Sequence, residues 1–416
     1  MHLQLQSGIG LVLLLALCWL SGTREKIAWR VVLGGVFLQF AIAALLLKLP
    51  QAQSVFLGLN KLVLSVEHAT RAGTSVVFGY LGGGAAPFAI SSEANTYILA
   101  FRGLPMVLVI SGISALLFYW RILPLVVRGF AWVINRLLGV SGPLGVGATA
   151  NVFLGMVEAP LLIRPYLLSL HRGELFALMV CGMATVAGTV LVLYASILAP
   201  VIANALGQVL IASLISAPAA LAMAALFHPW PERGAPLPDL PRENHSAMDA
   251  ITQGTLQGVT LLLNIIAMLI VLIALVSLIN VALLGLPQVN GEPISLQRLA
   301  GWLFAPLAWL TGIPWHEAVT AGQFLGTKVI LNEFIAFLEL ARPEGAGALL
   351  SERSRLLLMY GLCGFANLGS LGIMIGGLCS MVPERREEII ELGFASIWVG
   401  LLTTLATAAT VGVILT

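Results

Sequence analysis

Apolar runs follow one another along nearly the whole chain, separated by short polar joints. Runs long enough to cross roughly 30 Å of hydrocarbon lie at about 8–22, 27–49, 97–120, 174–198, 201–227, 257–285, 353–382 and 388–415. In lipid every backbone polar group needs an internal partner, so such runs predict helices. The expected fold class is an all-α membrane protein with about eight transmembrane helices. Residues 53–85 and 122–140 are expected as interfacial helices. Arg121, Arg128 and Arg136 recur there among Leu, Val, Phe and Trp at near-helical spacing, which suits a helix lying at the lipid surface. Met1 to Gln6 carry no Lys or Arg, so Gly8 to Leu20 are expected as a short first span and not as a signal peptide.

Two stretches break the pattern. Residues 142–170 and 312–341 are apolar but interrupted by Gly, Pro and polar groups, and each holds a glutamate near its middle. That pattern predicts two re-entrant helical hairpins. Residues 153–167, FLGMVEAPLLIRPYL, align with 324–338, FLGTKVILNEFIAFL, and each is followed by a Gly-rich segment, GMATVAG at 182–188 and GFANLGS at 364–370. The span count sends the hairpins in from opposite sides, so the halves form inverted repeats, an architecture of secondary transporters with a site at the midplane.

Composition narrows the class. Of 416 residues, 59% are hydrophobic and only 10% charged, with mean hydropathy +0.99, against roughly 25% charged in a soluble domain. A net charge of +2 without a basic run points to no nucleic-acid partner. Cys18, Cys181, Cys363 and Cys379 are far apart inside apolar runs and are expected as buried, inert thiols. His68, His171, His228, His245 and His316 show no metal-ligand spacing. Arg24, Lys26, Arg30, Arg172, Arg233, Arg242 and Arg385 fall in one set of loops, which predicts external N- and C-termini and a cytoplasmic linker at 228–246.

Glu158 and Glu333 carry the strongest chemical signal. A carboxylate in hydrocarbon costs roughly 2.5–3.5 kcal/mol on insertion scales and persists where donors or a watery cavity receive it. Two vicinal sugar hydroxyls would supply such donors. The structural alternative is an ion pair with Lys328 or Arg164. Asn332, Asn367 and Ser370 add amide and hydroxyl groups suited to a ribose or a base edge, although a lone Asn in a span commonly bonds a neighbouring helix. Asn151 and Thr185, with unwound backbone carbonyls, would make a cage for a hard cation, whereas Thr185 alone would back-bond to its own helix. Phe365 suits stacking on a base or sugar, or a place in the core. Glu317, beside Trp315 and His316, is expected at an interface.

The segment GTKVILNEFIAF, Gly326 to Phe337, resembles the G-x-K-x-x-x-N-E-F signature of concentrative nucleoside transporters. Asn151 with Gly155 to Leu167 resembles the first hairpin of that family, and Gly364 to Gly372 its unwound seventh span. The likeness covers nearly the whole chain, in the eight-span bacterial form. It implies a homotrimeric symporter of a bacterial inner membrane, importing nucleosides by an elevator-type alternating-access mechanism. The scaffold would comprise residues 1–141 and 199–311, and the transport domain 142–198 and 312–382, with a last span at 383–416. Glu333, Asn367 and Ser370 would bind ribose with Phe365 close by. Glu158, Met156, Val157 and Val190 would face the base. Asn151, Thr185 and the carbonyls of Leu154 and Val186 would hold sodium as the coupling ion, with a proton as the alternative; no organic cofactor is implied.

Met156 and Val157 depart from the family, which commonly has polar residues there, and this should redirect base preference. The retained Asn151 favours sodium over protons. Two rival functions remain. A lipid-pyrophosphate phosphatase would need clustered Arg and Ser around a phosphate, and neither hairpin offers them. A passive channel would need a filter of repeated ligands, and none is seen.

Overall fold

The computed structural model describes residues 2–88, 98–231, 245–289, 291 and 293–415, with backbone alone for 50–57, 59–60 and 62–63. Most of the linker at 228–246, with Arg233 and Arg242, lies outside the described residues. Among the described residues the regular elements are helices, and seven helical stretches are long and apolar enough to cross a membrane.

The first half begins with α1 (His2–Ser21), α2 (Trp29–Lys48) and α3 (Pro50–Phe78). The short α4 (Leu99–Arg102) leads into α5 (Met106–Tyr119), and the amphipathic α6 (Ile122–Leu138) follows. The first hairpin is α7 (Gly142–Asn151), a break at 152–157, then α8 (Glu158–Leu162) and α9 (Arg164–Leu167). The run at 174–198 forms α10 (Arg172–Ala184) and α11 (Gly188–Leu198), parted at Thr185–Ala187, and α12 (Ala205–Phe227) completes the half.

The second half repeats this order. A 37-residue α13 (Ala247–Leu283) precedes α14 (Leu296–Leu310). The second hairpin is α15 (Trp315–Ile330) and α16 (Glu333–Leu340), broken at Leu331–Asn332. Then come α17 (Glu352–Leu362), α18 (Leu368–Met381) and α19 (Arg386–Ile414). The seventh of the eight predicted spans, 353–382, is therefore two half-helices, each too short to cross alone. Helix α14 is absent from the expected elements. Like α6 it lies ahead of a hairpin and packs against its first arm; its Leu, Trp and Phe beside Gln297 and Arg298 repeat the α6 pattern.

One expectation about the repeat needs correction. The FLG match would place Glu158 opposite Val329. In the fold Glu158 opens α8 and Glu333 opens α16, so the glutamates correspond. Gly155 stands in the first break at φ +110°, whereas Phe324 to Gly326 lie inside α15. The match arose from composition, because only the break position has structural meaning.

The core is built on α10, α12 and α19, which are mostly buried. All four cysteines are free and buried. The two broken helices meet at their breaks. A Cβ on Gly364 would lie 2.7 Å from Thr404 Cγ2, 2.9 Å from Met183 O and 3.0 Å from Ala184 O, so only a glycine lets the second break rest on the end of α10. This contact brings the ends of α10, α11, α17 and α18 together.

Candidate functional site

The half-helix ends sort the polar residues by the sign of the helix dipole. Glu158, Glu333, Asn367 and Ser370 stand at N-termini, where unpaired N–H groups carry partial positive charge. Asn151 ends α7 and Thr185 caps the C-terminus of α10, where carbonyls leave partial negative charge. Thr185, which the Gly-rich segments 182–188 and 364–370 align with Asn367, therefore does not correspond to it: one ends a helix and the other begins one. One set suits hydroxyls and carboxylates, the other a cation.

A cavity of about 380 Å³ lies between the hairpins, and every residue expected at the substrate site lines it: Met156, Val157, Glu158, Val190, Glu333, Phe365, Asn367 and Ser370. Its size falls within the roughly 300–1,000 Å³ of small-molecule pockets. Asn367 caps α18 by accepting from Ser370 N at 2.8 Å and donates Nδ2–H to Glu333 Oε2 at 3.0 Å. Asn332 caps α16 by accepting from Ile335 N at 2.9 Å and also lines the cavity. Glu333 is buried, whereas Glu158 is open to the cavity.

Among the described residues neither glutamate is locked to a base. Lys328 is wholly buried and donates to Gly361 O and to Thr404 Oγ1, each at 2.9 Å, tying α15 to α17 and α19. Arg164 is exposed, and no ion pair joins it to Glu158 among the described residues. Glu317 accepts from Ser351 N and Oγ at 3.1 and 3.0 Å and holds α15 to the start of α17, away from the cavity.

The first hairpin break lies against the break between α10 and α11. Gly188 N donates to Phe153 O at 3.1 Å, and a Cβ on Gly155 would meet Ala187 Cβ at 3.1 Å. Thr185 Oγ1 lies 2.8 Å from Cys181 O and 3.5 Å from Asn151 O. Asn151 Nδ2 donates to Gly147 O at 3.0 Å, yet its buried Oδ1 has no hydrogen-bond partner among the described residues. A buried acceptor without a donor costs about 1–3 kcal/mol, and a cation would offset it. Val186 O accepts from Ser213 Oγ at 3.1 Å, which leaves one lone pair free. These neutral oxygens fit a hard monovalent cation.

Several lining residues escaped sequence reasoning. Tyr194 donates its hydroxyl to Glu333 Oε1 at 2.6 Å; it lies one turn beyond Val190 on α11, which was the available signal. Thr189 also lines the cavity, and Gln257, Thr260 and Asn264 enter it from α13. Among the described residues no Lys or Arg lines the cavity.

Comparison with known proteins points to one family. Models of the Na+ dependent nucleoside transporter N-terminus and C-terminus match residues 9–81 and 208–412, and a nucleoside recognition (Gate) model matches 100–201. The nucleoside permease NupC of Helicobacter pylori is 34% identical over 412 residues, spanning 98% of this chain and 96% of the permease. The structure of CNTnw in an inward-facing substrate-bound state matches with a TM-score of 0.88 at 33% identity, over 99% of this chain and 98% of that one. A CNTnw double variant in an outward-facing state matches at 0.89 and 33% identity, over 100% and 98%.

Proposed function

The chain belongs to the Na+ dependent nucleoside transporter family, and from that premise we propose that it couples nucleoside uptake to sodium entry across a bacterial cytoplasmic membrane. The family transports and does not catalyse. CNTnw structures in inward- and outward-facing states fit alternating access. The single observation that carries the site assignment is that Glu158 and Glu333 line one cavity, neither of them in an ion pair among the described residues.

In this mechanism Glu333 accepts the vicinal ribose hydroxyls, with Asn367 and Ser370 beside it and Phe365 against the ring. Glu158, Met156, Val157 and Val190 surround the base. Asn151 Oδ1, Thr185 Oγ1 and the carbonyls of Leu154 and Val186 hold sodium. The ion would order the first hairpin break, which carries Met156 and Val157, and so complete the substrate site. By linkage the nucleoside then raises sodium affinity by the same factor. Filled hairpins move as a unit with α10–α11, α17–α18 and α19, to which Lys328 ties α15, against a scaffold formed by the other helices in a homotrimer. Support for the membrane orientation comes from the ends of the molecule. Gln4 bonds Leu415 O at 2.7 Å, so both termini share one end. Arg172 and Arg385 gather with Glu388 at another region, which the positive-inside tendency makes cytoplasmic.

The test is radiolabelled uridine and adenosine uptake into proteoliposomes with and without a sodium gradient. Accumulation that follows the sodium gradient is expected. Accumulation driven by a pH gradient alone would replace sodium by the proton, and no accumulation of any nucleoside would remove the reading.

A further inference from the structure

Helix α13 is the most apolar of the long helices among the described residues, and little of it is buried. It nevertheless carries Gln253, Gln257, Thr260 and Asn264. Their 4-3-4 spacing puts all four on one face. The rotation of this face is fixed by packing. A Cβ on Gly254 would lie 2.6 Å from Ser111 O, and one on Gly258 would lie 3.0 Å from Leu108 Cα, so both glycines hold α13 tightly on α5. The polar stripe is thereby turned to the cavities. Gln257, Thr260 and Asn264 line the main one, and Gln253 and Gln257 line an adjoining one of about 330 Å³ that shares Glu158 and Thr189 with it.

A polar group facing hydrocarbon without a partner is costly. The hydroxyl of Thr260 bonds back to Leu256 O at 3.2 Å, while the Gln257 and Asn264 amides make no hydrogen bond among the described residues. Across the cavity, the hairpin side offers a base the Glu158 carboxylate, an acceptor without a donor when ionised, and otherwise the apolar Met156, Val157 and Val190. A nucleobase carries several edge donors and acceptors that must be matched when it leaves water. An amide offers a donor and an acceptor side by side, the pattern such an edge needs.

Resting on the nucleoside-transport reading above, we propose that α13 reads the base, with Gln257 and Asn264 hydrogen-bonding the edge groups that Glu158 and its apolar neighbours leave unmatched. Base selectivity then sits on a helix outside both hairpins and both broken helices.

The test measures competition against labelled nucleoside binding to the purified, monodisperse protein. The competitors are uridine, adenosine, inosine and a phenyl riboside whose ring has no hydrogen-bonding edge. Gln257→Leu and Asn264→Leu keep α13 compatible with lipid, and Thr260→Val serves as a third variant. Each amide variant should weaken at least one natural nucleoside by roughly 3–10-fold and alter the uridine-to-adenosine ratio. The phenyl riboside should keep its wild-type affinity. An unchanged profile, or an equal loss for every competitor including the phenyl riboside, overturns the assignment. Failure of the wild-type protein to bind any nucleoside would instead remove the premise.

Discussion

Tyr194 Oη donates to Oε1 of Glu333 at 2.6 Å, while Asn367 Nδ2 donates to Oε2 at 3.0 Å. The first partner comes from α11 of the first half, the second from α18 of the second. One carboxylate is thus oriented by both repeats at the floor of the shared cavity. Removing the hydroxyl with Tyr194→Phe leaves an acceptor without its donor. A hydrogen bond to a charged group is worth roughly 1.5–3 kcal/mol, so nucleoside affinity should fall about 10–100-fold. Glu333→Ala should abolish uptake while the protein still reaches the membrane. Normal transport by either variant would remove Glu333 from the ribose site.

Thr185→Val keeps the shape of the side chain and deletes an oxygen beside Asn151. The sodium concentration for half-maximal uptake should rise on the order of 10-fold, about 1.4 kcal/mol, with nucleoside binding at saturating sodium little changed. Unaltered sodium activation would take Thr185 out of the cation site.

Met156 and Val157 line the cavity with apolar surface. Met156→Gln with Val157→Thr adds a donor and acceptors to the hairpin wall. The relative inhibition of uptake by purine and pyrimidine nucleosides should shift by roughly 10-fold, the scale of one good polar contact. An identical competition profile would mean that these positions do not meet the base.

Lys328 holds Gly361 O and Thr404 Oγ1 together inside the core. Lys328→Met fills a similar volume but leaves both acceptors without a donor, at about 1–3 kcal/mol for each buried group. The melting temperature of the detergent-solubilised protein should drop, and uptake should fall with it. Unchanged melting would show that this ammonium does not fasten the second hairpin to α17 and α19.

Much of the architecture is legible along the chain. Long apolar runs need no knowledge of neighbours, because lipid alone demands that their backbone be helical. The helix breaks beside Glu158 and Glu333 were legible as Gly- and Pro-interrupted stretches, for a carboxylate in such an apolar setting is too costly to be incidental. All eight residues expected to face the substrate do line one cavity. What a linear pattern cannot hold is which ends meet. Tyr194 and Glu333 are 139 positions apart, and only packing of the two repeats joins them. The sorting of Asn151 and Thr185 to helix C-termini, against Asn367 at an N-terminus, depends on where each helix stops. The turning of Gln257 and Asn264 inward depends on Gly254 and Gly258 lying on α5. Periodicity assigns a residue to a face of its own helix; the partner of that face is set by close packing between segments distant in sequence.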